Sequence, residues 1–246
     1  MNIEKITTLI SNIKDFKALP KDHPNYDYLI KQVQDLEKLG LKSILPEEFF
    51  EKITSSKNLN LLFDNLQNIK MEYIYTSFCH GINHNIRVAL LSFYLANCYG
   101  LDNKMTTLAL YGAMYHDIGR VNDEEDAKHG MRSAKMLDKL GLGLEEEELK
   151  ILKTAIISHS IPDEKFVHIA KKMKVKDIEN CTILFKILKD ADGLDRVRLD
   201  YPCVGYNFLR SEISKQLVPF SYSLEYNYGG LYENNCEKAE NHKNKR

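Results

Sequence analysis

The sequence predicts an all-α protein, and three observations support this. Glycine and proline, the residues that most often interrupt helices, number only 12 and 6 among 246 residues. The long segments carry apolar residues at intervals of three and four, which is the period of one helix face. No segment alternates apolar and polar residues strongly enough to name a strand. We therefore expect a bundle of amphipathic helices.

The composition narrows the classes of partner. With 43% hydrophobic residues, the chain can bury a sizeable core in one or two domains. Its 34 Lys and Arg nearly balance its 35 Asp and Glu, so we expect no bulk binding of nucleic acid. No apolar run approaches the roughly 20 residues that cross a bilayer, and residues 1–16 are amphipathic and unlike a signal peptide. We expect a cytoplasmic protein without a membrane segment.

Five cysteines are scattered along the chain. They are odd in number and contain no C-x-x-C, so the sequence indicates neither a zinc-thiolate site nor a disulfide framework. We expect reduced, mostly structural thiols at Cys79, Cys98, Cys181, Cys203 and Cys236.

The chain divides into three predicted regions. Residues 1–70 form an N-terminal helical extension or cap, in which "LPKDHPN" and "ILPEEF" separate amphipathic helices. Residues 71–228 form the main bundle, and residues 229–246 lose their apolar period and are expected to be a flexible tail. The helices of the bundle are predicted in "NHNIRVALLSFYLANCYG", "NKMTTLALYGAMYHDIGR", "DAKHGMRSAKMLDKLG", "LEEEELKILKTAIISHS", "DEKFVHIAKKMKV" and "ENCTILFKILKDADGLDRVRL".

The stretch "YGAMYHDIGR" ends an apolar run on the pair His116-Asp117. Such a pair is a weak signal by itself, because it can simply end a helix where a cation is favoured. Other potential metal ligands, however, recur at the ends or inner faces of the neighbouring predicted helices. Six residues could then converge in one bundle: His84, His116, Asp117, His129, His159 and Asp192. His80, one turn before His84, is an alternative ligand in its place.

The ligand types indicate the metal. Imidazole nitrogen and carboxylate oxygen without thiolate suit Mn, Fe, Co or Ni in preference to Zn or Mg. Four histidines and two carboxylates are enough for two ions that share Asp117. We expect one or two divalent metal ions per chain.

These motifs, in this order, resemble the HD-domain metal-dependent phosphohydrolases over roughly residues 75–200. The matching pieces are a histidine followed by "xxRV", the "HDIG" pair, two further histidines and a late aspartate. The resemblance implies an HD-domain helical bundle with His84, His116, Asp117 and Asp192 as its ligand set. It also implies that His129 and His159 are the extra histidines of two-metal members.

The sequence departs from the family in two places. Arg120 stands where a lysine often follows "HDIG", which keeps the charge but not a compact, titratable ammonium. No "GYP" signature is present, so the sequence does not indicate a cyclic-di-GMP phosphodiesterase.

The resemblance implies a phosphohydrolase or phosphodiesterase that cleaves a phosphate ester or anhydride through a metal-activated hydroxide. The favoured partner is a small phosphorylated molecule such as a nucleotide, and an oligomer is compatible with the sequence. Two alternatives stay open, a di-iron oxygenase and a nucleotide-sensing HD module.

Beside the metal ligands, the predicted catalytic residues are cations that would bind phosphate. These are Arg196 and Lys189, each about one turn from Asp192, and Arg132, which follows His129; surface salt bridges are the alternative role for each. Arg87 is expected to orient a metal ligand. Four aspartates are expected to lie outside the site, pointing away from it or solvated in a loop: Asp123, Asp126, Asp190 and Asp195.

Overall fold

The computed structural model describes residues 15–199 and 204–228. Within these residues it contains eleven α-helices and no strand, which confirms the all-α prediction. Among these helices, none combines the length and the apolar character that a membrane crossing requires. The helices are α1 (Tyr26–Lys38), α2 (Pro46–Thr54), α3 (Leu59–Gln67), α4 (Ile82–Cys98), α5 (Asn103–Tyr115), α6 (His129–Met136), α7 (Glu146–His159), α8 (Phe166–Met173), α9 (Ile178–Leu194), α10 (Glu212–Gln216) and α11 (Val218–Tyr228).

Four helices, α4, α5, α7 and α9, pack against one another to form the centre of the protein. Helix α4 is buried on every side from His84 to Ala96, as expected of a helix that is apolar around its whole circumference. Helix α5 starts at a cap, where the Asp102 side chain accepts a hydrogen bond from the Met105 amide. The C-terminal end of this helix is buried, from Gly112 to Tyr115.

The N-terminal helices contribute to the same core. Helix α2 packs on α4, α3 packs on α4 and α5, and α1 packs on α11. Phe49 of α2 stacks on Tyr94 of α4, with ring centroids 4.6 Å apart, and also contacts Phe220 of α11 at 4.3 Å. One apolar cluster thus extends from Leu19 to Tyr228. The domain boundary near residue 70 stays a prediction, and the predicted tail lies outside the described residues.

The described cysteines are Cys79, Cys98 and Cys181, and of these Cys98 and Cys181 are free thiols. Burial raises the pKa of the Cys181 thiol to about 12, which keeps it protonated and unreactive near neutral pH. The two remaining cysteines, Cys203 and Cys236, lie outside the described residues.

We expect Phe49→Ala to lower the free energy of unfolding by about 3 to 5 kcal/mol, because the fully buried ring leaves a cavity between three helices. Chemical denaturation followed by circular dichroism measures this loss. Leu39→Ala is the control, since Leu39 is 53% exposed and should change stability by only about 0.5 kcal/mol. A separate early transition of the N-terminal helices, with the main midpoint unchanged, would contradict a shared core.

Candidate metal centre

The HD pair lies at the buried end of α5. His116 is the first residue after that helix, and the amide of Arg120 then donates to the carbonyl of Asp117 at 3.0 Å in a tight turn. The exposed fractions of His116 and Asp117 are 0% and 2%. The apolar run therefore ends on a polar pair at a helix end that is itself buried inside the protein.

Neighbouring helices bring the other predicted ligands to the same point. His84 lies in the first turn of α4, His129 begins α6, His159 ends α7, and Asp192 lies in the last turn of α9. The three histidines are buried, and the Asp192 side chain is 27% exposed. All six residues predicted as metal ligands thus form one cluster.

The four histidines form two pairs with Asp117 between them. The Nε2 atoms of His84 and His116 are 3.0 Å apart, and those of His129 and His159 are 2.8 Å apart. Asp117 Oδ2 lies 3.7 and 3.6 Å from the first pair of Nε2 atoms, and Asp117 Oδ1 lies 3.1 and 3.8 Å from the second. Asp117 is therefore placed to bridge two sites.

Asp192 faces the first pair. Its Oδ1 lies 3.4 Å from His84 Nε2 and 3.8 Å from His116 Nε2. The first site thus has two histidines and two carboxylates, and the second has two histidines and one carboxylate. The Asp192 carboxylate therefore completes the group of nitrogen and oxygen ligand atoms at the first site.

The hydrogen bonds of the four imidazoles fix which nitrogen carries the proton. Each Nδ1 faces a carbonyl or carboxylate oxygen, which can only accept, so each Nδ1 must be the donor. The acceptors for His84, His116, His129 and His159 are, in that order, Asp195 Oδ2 at 2.7 Å, the carbonyl of Ala113 at 2.9 Å, the carbonyl of Asp126, and the carbonyl of Ile156 at 2.6 Å.

The inward-facing Nε2 atoms of the neutral imidazoles therefore present lone pairs. Two lone pairs 2.8 to 3.0 Å apart repel each other unless a cation lies against both. Asp117 Oδ1 is also buried and accepts no hydrogen bond from any described residue. The guanidinium of Arg120, whose Nε lies 3.0 Å from Asp117 Oδ2, favours the ionised form of the Asp117 carboxylate. Ionised oxygen and imidazole lone pairs together fit divalent metal ions.

Asp195 supports the first site from behind, so the expectation that it points away is wrong. Its Oδ2 accepts from His84 Nδ1, and its two oxygens accept from Arg87 Nε at 2.6 Å and from an Arg87 terminal nitrogen at 3.0 Å. Arg87 thus orients a ligand through Asp195. The spacing is a signal that could have found this pair, because Asp195 follows Asp192 and Arg87 follows His84 by three residues each.

Burial and neighbouring charges set the protonation states of His84 and Asp195. Burial lowers the pKa of His84 to about 3, which keeps its imidazole neutral and available as a ligand. Burial raises the pKa of Asp195, but the Arg87 guanidinium and the His84 hydrogen bond outweigh this and bring it to about 2. Asp195 is therefore an ionised acceptor under a neutral histidine.

Two glycines let α6 and its histidine approach the cluster. A Cβ on Gly119 would lie 2.3 Å from the amide nitrogen of Ser133 in α6. A Cβ on Gly130 would lie 2.4 Å from the carbonyl oxygen of Ile156 in α7. Both distances are far below any normal contact, so glycine at these positions permits the packing that brings His129 to His159.

His80 does not join the cluster. Its Nδ1 lies 2.9 Å from Asp123 Oδ1, and Asp123 also accepts from the Ser77 hydroxyl at 2.5 Å. The structure therefore brings His84, rather than its alternative His80, to the candidate metal site. Asp123 is an exposed loop residue, as expected, and it also pairs with His80; Asp126 is a loop residue that pairs with Arg132.

A cavity of about 430 Å³ opens beside the cluster and reaches His159 and Asp192. Arg196 and Lys189, two of the predicted phosphate-binding residues, line it. Arg196 is exposed and lies in the 3₁₀ turn after α9 rather than on that helix. Its side chain makes no hydrogen bond or ion pair with any residue of 15–199 or 204–228. Burial lowers the pKa of Lys189, and Asp163, whose Oδ1 is 2.7 Å from Lys189 Nζ, opposes this.

The third predicted phosphate-binding residue does not line this cavity. Arg132 Nε donates to the carbonyl of Gly119 at 2.7 Å, and its guanidinium pairs with Asp126. Arg120, which the sequence marked only as a family departure, is closer to the cluster, with Nε 3.0 Å from Asp117 Oδ2. The sequence signal for this contact was the spacing, because Arg120 follows Asp117 by three residues.

A family model described as the HD domain matches residues 81–197, a range that contains all six clustered residues. Comparisons with curated proteins and with solved structures found no match. The fold and the cluster define a helical HD bundle with a potential metal centre. This match over residues 81–197 supports the resemblance to the HD-domain metal-dependent phosphohydrolases.

We expect Asp195→Asn to weaken metal binding by about tenfold to a hundredfold, because His84 loses the charged acceptor that fixes its Nδ1 proton. Calorimetric titration with Mn²⁺ measures the affinity, and circular dichroism checks that the helices remain. Asp138→Asn is the matched control, since Asp138 is exposed and pairs only with Lys153 among the described residues. Equal Mn²⁺ affinity in both variants would rule out this role for Asp195.

Proposed function

We propose that this protein is a metal-dependent phosphohydrolase that cleaves a phosphate ester or anhydride of a small molecule, with a nucleotide as the favoured substrate. The observation that carries the proposal is the convergence of four imidazole lone pairs on the ionised carboxylate of Asp117. We further propose that the enzyme acts in the cytoplasm.

Two groups of residues would hold the metal ions. His84, His116 and Asp192 would serve one ion, His129 and His159 would serve the other, and Asp117 would be shared. This donor set of nitrogen and oxygen favours Mn, Fe, Co or Ni over Zn or Mg. When bound, such ions would polarise a phosphoryl group and make a water acidic enough to attack phosphorus near neutral pH.

The residues around the cluster would bind the substrate. The cavity gives a phosphate access to His159 and Asp192, and Arg196 is a cation on its wall without a described partner. Arg120 would limit repulsion between the phosphate and the carboxylate of Asp117, beside which it lies. In the hydrolysis, the water oxygen would form a bond to phosphorus while the bond between phosphorus and the leaving group breaks. A proton from the water would then go to the leaving group.

The cationic cavity wall favours hydrolysis over the two alternatives. A di-iron oxygenase would use the same ligands; Arg196 would be of no use to an uncharged substrate such as an inositol, whereas it would also suit a phosphonate. A sensing module would need only to bind a nucleotide, so it would not require all six metal ligands to be present. The presence of all six in this chain therefore favours an enzyme. Anaerobic purification, metal analysis and O₂ consumption would detect the oxygenase.

The proposal predicts hydrolysis of phosphorylated small molecules in the presence of Mn²⁺, Co²⁺ or Fe²⁺. We expect Asp117→Ala to abolish it and to lower bound metal, because the variant removes the carboxylate shared by both sites. A phosphate-release screen of nucleotides, dinucleoside polyphosphates and cyclic nucleotides measures the activity, with Asp138→Ala as the control. Full activity in Asp117→Ala would overturn the proposal.

The two-ion arrangement predicts a stoichiometry. Elemental analysis of fully loaded protein should approach two metal ions per chain, and His159→Ala should fall towards one, because it removes a ligand of the second site only. A wild-type value that saturates at one would withdraw His129 and His159 as ligands while keeping the first site.

We expect Arg196→Ala to lower kcat/KM about tenfold to a hundredfold, since a charge-assisted hydrogen bond to phosphate contributes roughly 1.5 to 3 kcal/mol. Metal content should not change. Arg196→Lys should restore only part of the activity, because lysine supplies the charge without two parallel donors. Unchanged kcat/KM in Arg196→Ala would move the phosphate-binding role to Lys189 or Arg120.

A further inference from the structure

An exposed aromatic side chain lies at the mouth of the cavity. Phe208 is 78% exposed, the highest value among the large hydrophobic side chains of the described residues. It ends the 3₁₀ turn Tyr206–Phe208 and lines the cavity together with Val204, Gly205 and Leu209. Water contact with a full phenyl ring is unfavourable, so a ligand that covers the ring gains affinity.

Hydrogen bonds to Asp190 hold the backbone that follows Phe208. The buried carboxylate of Asp190 accepts hydrogen bonds from the backbone amides of Arg210 and Ser211 at 3.0 and 3.2 Å, and from the Arg210 guanidinium at 2.9 Å. Arg210 also binds both oxygens of Asp163, at 2.8 and 2.7 Å. Asp190 is therefore a structural anchor for the cavity mouth rather than a residue that points away from it.

Gly205 shapes the surface on which the ring rests. A Cβ at this position would lie 2.9 Å from Cδ2 of Phe208 and 3.2 Å from Cε2. The ring therefore lies against the backbone of Gly205. Its opposite side is left accessible, which is the condition for stacking by a second flat ring.

The cavity combines residues that suit a phosphate with an aromatic ring that suits a nucleobase. His159 and Asp192 of the candidate metal centre lie in its wall, as does Arg196, and Phe208 is at its mouth. A volume of about 430 Å³ suits a small-molecule ligand. Aromatic rings bind nucleobases by stacking, which accepts every base because each has a π-face.

We propose that Phe208 is the residue that stacks on the base of the nucleotide substrate, and that it thereby sets the preference for a leaving group with a purine or pyrimidine ring. The phosphate lies at the cluster near Arg196, and the base covers Phe208. This inference rests on the proposed phosphohydrolase function, and it adds the residue that determines specificity for the base.

A binding experiment tests the inference without enzyme activity. The chain contains no tryptophan, so Phe208→Trp gives a single fluorescent reporter at the cavity mouth. The probe is an AMP analogue in which CH₂ replaces the ester oxygen, and ribose 5-phosphate is the control ligand. We expect saturable quenching by the AMP analogue only. Phe78→Trp is the matched control protein, because Phe78 is 67% exposed and does not line the cavity.

An activity ratio separates this inference from the proposed function. We expect Phe208→Ala to lower the ratio of kcat/KM for AMP to that for ribose 5-phosphate by about tenfold to a hundredfold, since stacking contributes roughly 1 to 3 kcal/mol per base. Phe78→Ala should leave the ratio unchanged. An unchanged ratio in Phe208→Ala, or equal quenching at positions 78 and 208, overturns the stacking role alone. A wild-type protein that binds the AMP analogue but releases phosphate from no ester overturns the hydrolase instead.

Discussion

The buried carboxylate of Asp117 is the constraint on which the centre of the bundle depends. An ionised carboxylate that is 2% exposed is costly in a medium of low dielectric constant unless positive charge or hydrogen-bond donors surround it. Arg120 lies on one side, but the four nearby Nε2 atoms carry lone pairs rather than protons. Divalent cations fit this arrangement, because their charge offsets the carboxylate and their coordination uses the lone pairs.

The same histidines allow helix ends to be buried. The last carbonyl groups of a helix have no partner within it, and burying them unpaired is unfavourable. His116 donates to Ala113 in the last turn of α5, and His159 donates to Ile156 in the last turn of α7. Each imidazole therefore satisfies a carbonyl with one nitrogen and leaves the other free for a ligand role.

The fold class and the six clustered residues could be predicted because both follow from spacing along the chain. The helical period gives the bundle, and an apolar run that ends on polar residues, as at His116 and His159, indicates a buried helix end. The spacing of Asp195 from Asp192 gave a signal for its position, but its contact with His84 also depends on α9 ending at Leu194 and tightening into a 3₁₀ turn, which the helical period does not encode. The partner of Arg132 likewise depends on a contact across a loop, which no periodic pattern encodes.

Helix α9 connects the candidate metal centre to the mouth of the cavity. Asp192 faces the histidines, and Asp190, two residues earlier, holds the backbone that follows Phe208. Two residues of a helix rise by only about 3 Å, and a helix is stiff over this length. The candidate metal centre and the backbone that follows Phe208 are therefore both attached to the same turn of α9. A displacement of this turn would move both of them together, whereas a change of side chain at the rim would leave their relative position unchanged.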